Sequence, residues 1–302
     1  MPHLLNYDSP KELRAFLEQR GLGMRKKHGQ NFLINPAVRA RLLDALELRP
    51  GDRVWEIGPG LGAMTAGLLQ RDARVTAFEI DPAFVKALRE FFVDDESSAS
   101  GAFSLIEGDV MKTWRNAAAA ENGQELFLAG NLPYNIAAAL LADFIEKGQF
   151  FTRLVVTVQR EVARRMAAQP GSSDYSSFSV LCSSVYRVTP LAVIKPAAFY
   201  PPPHVDSQGV RLDLLPADRR ALPRLFYPLV RGLFSSRRKT VKNTLSAFAA
   251  SVIIEGKMSG TDAALEALRR AGLAPERRPE TLGIDEFAAL AAFLEEIVFD
   301  GR

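Results

Sequence analysis

The sequence predicts an α/β protein with a Rossmann-like, mostly parallel sheet, an antiparallel terminal hairpin, and a small all-α domain after it. Three observations predict this. Short β-rich runs alternate with helical patterns from Arg53 to about Leu215. The first of those runs leads straight into a glycine-rich loop, and strand signals cease beyond Leu215-Pro216-Ala217-Asp218. The expected boundary puts residues 1–216 in the first domain and 217–302 in the second.

Ser9-Pro10-Lys11-Glu12 has the pattern of an N-cap, a proline at the first helical position and a capping-box glutamate. Leu13, Phe16 and Leu17 add an apolar stripe that ends at Gly21, so a short leading helix is expected. Strands are expected over Arg53–Ile57, Arg74–Ile80, Phe103–Ile106, Leu126–Gly130 and Leu154–Gln159, with helical periodicity between them, as parallel pairing requires. Phe178–Ile194 and Val210–Leu214 have no clear helix between them and read as the terminal hairpin. Helical patterns return at Leu222–Phe234, Thr240–Ile254, Gly260–Ala271 and Ile284–Val298.

With 302 residues, 47% hydrophobic and 24% charged, the chain can bury a full core, and no apolar run nears the roughly 18 to 20 residues of a membrane span. The first residues mix Asp8, Lys11, Glu12 and Arg14, unlike a secretory signal, so a cytoplasmic location without a membrane partner is expected. Cys182 is the only cysteine, and His3, His28 and His204 are the only histidines. That excludes a disulfide or thiolate zinc site within one chain, and no metal is expected. A net charge of +3 permits nucleic-acid binding without requiring it.

The run Arg53–Ile57 enters Gly58-Pro59-Gly60-Leu61-Gly62, and a helix is expected from Ala63. The third glycine falls one residue too early for the dinucleotide pattern G-x-G-x-x-G, and Glu56 precedes the loop. The form E-x-G-x-G-x-G is the one associated with S-adenosylmethionine. Glu79 ends the second strand, 21 residues after Gly58, where a carboxylate can accept both ribose hydroxyl hydrogen bonds. Asp109 follows the third strand and is placed to meet the adenine edge of the cofactor. Ile80 and Val110 adjoin the two acids and join the candidate cofactor set with Glu56, Gly58 and Gly60. Singly, each acid would read as a solvated strand-end residue; together they occupy successive strand ends on the edge where open α/β sheets bind ligands.

At the end of the fourth strand, Asn131-Leu132-Pro133-Tyr134 assembles an amide, a carbonyl, a rigid bend and an aromatic ring. An exocyclic aromatic amine is a poor nucleophile because its lone pair is delocalised. Two acceptors, Asn131 Oδ1 and the Leu132 carbonyl, can hold the amino protons and pull the nitrogen towards a tetrahedral shape. Pro133 fixes φ and supplies no donor, and Tyr134 offers a face to the base and to developing positive charge. Catalysis by this set is mostly positioning for an in-line displacement.

These residues resemble the ribosomal RNA adenine N6,N6-dimethyltransferase family, over nearly the whole chain. Lys27-His28-Gly29-Gln30-Asn31-Phe32-Leu33 is similar to its Q-N-F-L motif, and the resemblance implies that Gln30, Asn31 and Leu33 belong to the cofactor site, as does Asn131. Pro196-Ala197-Ala198-Phe199-Tyr200-Pro201-Pro202-Pro203-His204-Val205-Asp206-Ser207 is similar to its P-x-x-F-x-P-x-P-x-V-x-S loop, which implies that Phe199 stacks on the target adenine opposite Tyr134. The Leu132 position and the glycine loop look more like the bacterial housekeeping members than the macrolide-resistance relatives. The resemblance implies a class I methyltransferase that dimethylates adenines in small-subunit ribosomal RNA, within an assembling ribosomal particle and as a monomer. Two departures are Ser176, where the family usually has glycine, and Ala137-Ala138, where small hydroxyl residues are common.

A target base must be splayed out and clamped, with stacking contributing about 1 to 3 kcal/mol per base. Residues 231–242 hold Arg231, Arg237, Arg238, Lys239 and Lys242 and no acid, a candidate phosphate-binding surface that makes the second domain the expected RNA-binding one. Arg25-Lys26-Lys27-His28 and the helical face Arg160, Arg164, Arg165 are further candidates. Other readings are methylation of a different RNA or DNA adenine, a non-catalytic ribosome-assembly or transcription factor on the same fold, and a nicotinamide dehydrogenase, which the glycine spacing disfavours.

Overall fold

A computed structural model describes residues 5–21, 31–93, 101–121, 123–236, 238–253 and 258–299. The chain divides into two units: Met1–Ala163 with Val188–Leu214, and Arg164–Arg187 with Leu215–Arg302. The expected single boundary at 216 therefore misplaces one stretch, residues 164–187, which joins the helical unit.

The first unit carries a seven-stranded sheet. Its strands are β2 (Arg53–Ile57), β3 (Arg74–Glu79), β4 (Phe103–Glu107), β5 (Leu126–Asn131), β6 (Arg153–Gln159), β7 (Tyr186–Ile194) and β9 (Ser207–Leu214), in the order β4-β3-β2-β5-β6-β9-β7. The five strands β2 to β6 run parallel, and β9 lies antiparallel to β6. A separate two-stranded sheet pairs β1 (Phe32–Leu33) with β8 (Phe199–Tyr200), with Phe32 opposite Tyr200 and Leu33 opposite Phe199.

The crossovers are α3 (Ala63–Leu69), α4 (Pro82–Phe92), α5 (Val110–Ala120) and α6 (Ala137–Glu146), preceded by α1 (Pro10–Gln19) and α2 (Pro36–Asp44). Strand side chains alternate between faces, so both sides of the sheet must be covered. Val54, Val75, Ala77, Phe127 and Ala129 pack with Leu42 and Leu43 of α2 and Met64 and Leu68 of α3. On the other face Trp55 meets Phe78 at 4.9 Å and Phe151 at 5.5 Å between ring centroids, and Trp114 of α5 meets Phe144 of α6 at 5.3 Å. The strand order reverses between β2 and β5, the switch point at which such sheets bind ligands. Gly130 lets the two strands meet there: a Cβ on it would lie 2.8 Å from the Ile57 carbonyl oxygen.

The leading helix forms as expected, with Ser9 Oγ accepting from the Glu12 amide. The Glu12 carboxylate, however, accepts from Asn6 Nδ2, so the reciprocal half of the capping box is not made. Residues 178–185, read as strand, lie in α8 (Ser177–Val185), which follows α7 (Arg160–Ala167). Val180 of α8 is buried among Leu229, Leu245, Ala264 and Phe287, and this packing overrides the β-rich composition. Ser176 caps α8 at φ −155°, extended backbone that needs no glycine, and Ser179 Oγ accepts from its amide at 3.0 Å. The remaining helices are α9 (Phe226–Phe234), α10 (Val241–Val252), α11 (Gly260–Arg270) and α12 (Ile284–Phe299), close to the periodicity limits. Among the described residues no helix is long and apolar enough to cross a membrane.

Candidate active site

The glycine loop, β1 and the carboxyl ends of β2, β3 and β5 enclose one cavity. Asn31, Leu33, Glu56, Gly58, Gly60, Glu79, Ile80, Asp109, Val110 and Asn131 all line it, together with Pro133. Gln30 and Arg237 lie outside the described residues, as do Arg25 to His28. The loop needs its glycines: Gly58, Gly60 and Gly62 have φ of 68°, 59° and 89°, in the left-handed region.

Two carboxylates are buried here. Burial pushes Glu56 up to about 7; a 2.6 Å hydrogen bond donated by Thr65 opposes the shift, and nearby Glu79 adds to it. Burial also pushes Glu79 up to about 7, against hydrogen bonds from three backbone amides. Its Oε2 accepts from Gly60 at 3.0 Å, and its Oε1 accepts from Ile80 and Asp81, both at 2.9 Å. Glu79 thus ties the end of β3 to the glycine loop. Asp109 caps α5 by accepting from the Met111 amide at 3.0 Å while lining the cavity. Ile80 lines the cavity and is 46% exposed.

Asn131 is oriented by its neighbours. Its Nδ2 donates to the Asn31 carbonyl at 2.7 Å. A carbonyl can only accept, so the amide cannot be flipped, and Oδ1 of this cavity-lining residue is left buried without a partner among the described residues. An unpaired buried acceptor costs stability. The Leu132 amide donates to the Thr157 carbonyl at 3.1 Å, which holds the turn, and the Leu132 side chain is buried. Tyr134 is half-buried, and its hydroxyl lies 2.5 Å from Ser207 Oγ. Burial raises the Tyr134 hydroxyl above its usual range, with the Ser207 bond opposing, so it stays protonated.

A family profile described as "Ribosomal RNA adenine dimethylase" matches residues 21–265. The chain belongs to the ribosomal RNA adenine dimethylase family. It is 43% identical over 290 residues to Ribosomal RNA small subunit methyltransferase A of Treponema denticola, covering 95% of this chain and 94% of that one. It is 39% identical to the protein of that name in Geobacter metallireducens, covering 90% and 95%. Among solved structures, a dimethyladenosine transferase from Plasmodium falciparum aligns over 85% of this chain and 94% of that one, at TM-score 0.72 and 24% identity, a likeness of fold. The 23S rRNA methyltransferase ErmE aligns over 88% and 100%, at TM-score 0.58 and 25% identity. The protein is a class I methyltransferase with S-adenosylmethionine as donor. The cavity's residues fit that cofactor: the glycines admit it closely, and the buried carboxylates suit its hydroxyl and ammonium groups.

One expected site residue stands elsewhere. Phe199 is 2% exposed and packs with Leu33, Leu42, Ile194 and Ala198 in the sheet core, because β8 pairs with β1 there. It offers no face to a base in this arrangement; stacking opposite Tyr134 requires the ring to leave that packing. Conversely, Tyr7, Phe32 and Phe84 line the cavity without being expected there. Phe32 belongs to the Q-N-F-L motif, a signal that could have found it; Tyr7 carries no motif.

In the helical unit, Arg231, Arg238 and Lys239 are exposed and Lys242 is half-buried at the start of α10. Arg164 lies 3.5 Å from Asp174, and Arg165 lies over the Phe178 ring at 5.9 Å. Arg160 lies 3.6 Å from Asp206.

Proposed function

We propose that this enzyme transfers methyl groups from S-adenosylmethionine to the N6 amine of adenines in small-subunit ribosomal RNA, two per base, within an assembling ribosomal particle. The observation that carries the reading is Asn131 Oδ1, a buried acceptor with no partner among the described residues, fixed in place by its own Nδ2 in a residue that lines the cavity. An acceptor there can hold one amino proton of an adenine and direct the nitrogen lone pair towards the methyl group. The bound cofactor supplies that methyl on a sulfonium, a good leaving group that needs no metal. Asn131 and the Leu132 carbonyl orient the amine, and Tyr134, anchored through Ser207, presents its ring to the base. Arg231, Arg237, Arg238, Lys239 and Lys242 are the proposed phosphate contacts, and the protein acts as a cytoplasmic monomer.

The test is radiolabelled methyl transfer to small-subunit particles lacking the modification, followed by nucleoside analysis, beside large-subunit RNA and DNA. N6,N6-dimethyladenosine in the small-subunit RNA alone is expected. Label in large-subunit RNA or DNA would replace the substrate assignment, and no label in any of them would point to a non-catalytic assembly factor.

A further inference from the structure

The hydroxyl oxygen of Tyr7 is buried and makes no hydrogen bond to the described residues, yet the residue lines the cofactor cavity. It reaches the cavity through the leading helix. Leu13 and Leu17 of α1 pack with Leu61 of the glycine loop and with Phe84 and Ala87 of α4. Next to Tyr7, Asp8 pairs with Arg39, which also donates to the Leu33 carbonyl at 2.7 Å. The segment is therefore anchored on both sides of the ring. A buried hydroxyl without a partner is costly, and a ligand that supplies one removes the cost.

The position narrows what that ligand group is. The charged groups that act on the Tyr7 hydroxyl are Glu56 and Arg39; burial raises it well above its usual range, Glu56 adds to this and Arg39 opposes it. The hydroxyl remains a donor at neutral pH. Glu56 is the penultimate residue of β2, whereas the ribose-side carboxylate, Glu79, ends β3, the neighbouring strand. The influence of Glu56 and Arg39 sets Tyr7 on the β2 side of the cavity, to which the amino-acid part of the cofactor is assigned here. That part carries an ammonium, suited to Glu56, and a carboxylate, suited to a neutral donor.

We propose that the Tyr7 hydroxyl donates a hydrogen bond to the methionyl carboxylate of S-adenosylmethionine, which makes the N-terminal segment a wall of the cofactor site. This rests on the reading of the cavity as the S-adenosylmethionine site.

The test is calorimetric titration of the full-length protein and its Tyr7→Phe variant with S-adenosylmethionine and with decarboxylated S-adenosylmethionine, which keeps the sulfonium and amine. Tyr7→Phe should weaken S-adenosylmethionine binding at least about tenfold, as expected for a lost hydrogen bond to a charged group. Binding of the decarboxylated analogue should change by less than about twofold. The ligand-free melting temperature should stay level or rise, because the hydroxyl removed has no partner among the described residues. Unchanged affinity for S-adenosylmethionine overturns the proposal, and so does an equal loss for both ligands, which would mean the ring only shapes the cavity. Failure of the unmodified protein to bind S-adenosylmethionine is a different result, and would overturn the cofactor reading itself.

Discussion

Asn131→Ala separates what holds the site together from what does chemistry in it. The substitution removes the 2.7 Å hydrogen bond from Nδ2 to the Asn31 carbonyl, a net loss of about 0.5 to 1.5 kcal/mol. It also removes Oδ1, a buried acceptor with no partner among the described residues, which relieves part of that loss. The expected destabilisation is about 1 kcal/mol or less, a fall in melting temperature of a few degrees. Transfer should respond far more strongly. Removing one preorganised hydrogen-bonding group from a transition state typically lowers the rate by roughly 100- to 1000-fold, or about 2.7 to 4 kcal/mol. Single-turnover methyl transfer should fall by at least about 100-fold. Binding of S-adenosylhomocysteine should weaken by no more than about tenfold in calorimetry. More than a tenth of the original rate would refute the acceptor argument. A large loss of stability would show that the residue chiefly supports the fold.

Three further outcomes follow from the geometry. Glu56 and Glu79 sit at about 7 in the fold, above an ordinary glutamate, so the ligand-free protein binds more protons than the unfolded chain between about pH 4.5 and 7. Their contribution to stability is present below that window and is lost as pH rises through 7, while ribose hydroxyls at Glu79 and the ammonium at Glu56 favour the ionised acids. Cofactor affinity should therefore rise from pH 6 to 8 with proton release, measured by calorimetry in buffers of different ionisation enthalpy, and Glu79→Gln should flatten the trend. Ser207→Ala leaves the Tyr134 hydroxyl without its 2.5 Å partner and should lower kcat/KM for RNA roughly tenfold, with Tyr134→Phe adding little on top in a double-mutant cycle. Full additivity would mean that the pair does not act together. Arg238→Glu with Lys239→Glu should weaken RNA binding and reduce its log-log salt slope by about 0.7 for each phosphate no longer neutralised, with cofactor affinity unchanged. An unaltered slope removes these residues from the RNA surface.

Much of the site was legible because its residues belong to local patterns. The glycine loop, Glu79 and Asp109 follow successive strands, and strand ends in a parallel sheet come together at one edge by construction. Asn131-Leu132-Pro133-Tyr134 sits beside the loop because β5 is the neighbour of β2. Local patterns served less well where long-range packing decided. Residues 178–185 have strand-like composition and form a helix because Val180 packs into the helical unit. Phe199 lies in a loop motif, and its burial depends on pairing with Leu33, far away in sequence.

By itself, the amino-acid order determined the parallel α/β framework, the cofactor class and the chemistry of the amine-holding turn, because periodicity, glycine spacing and residue type are local quantities. Only the tertiary structure decided which of Asn131's two polar atoms is spare, since that depends on a carbonyl 100 residues away. It also brought Tyr7 to the cavity, through the packing of α1 on the glycine loop and α4, and withdrew Phe199 into the core. Whether a buried polar atom is satisfied depends on all of its neighbours, and those come from segments that the sequence order keeps apart.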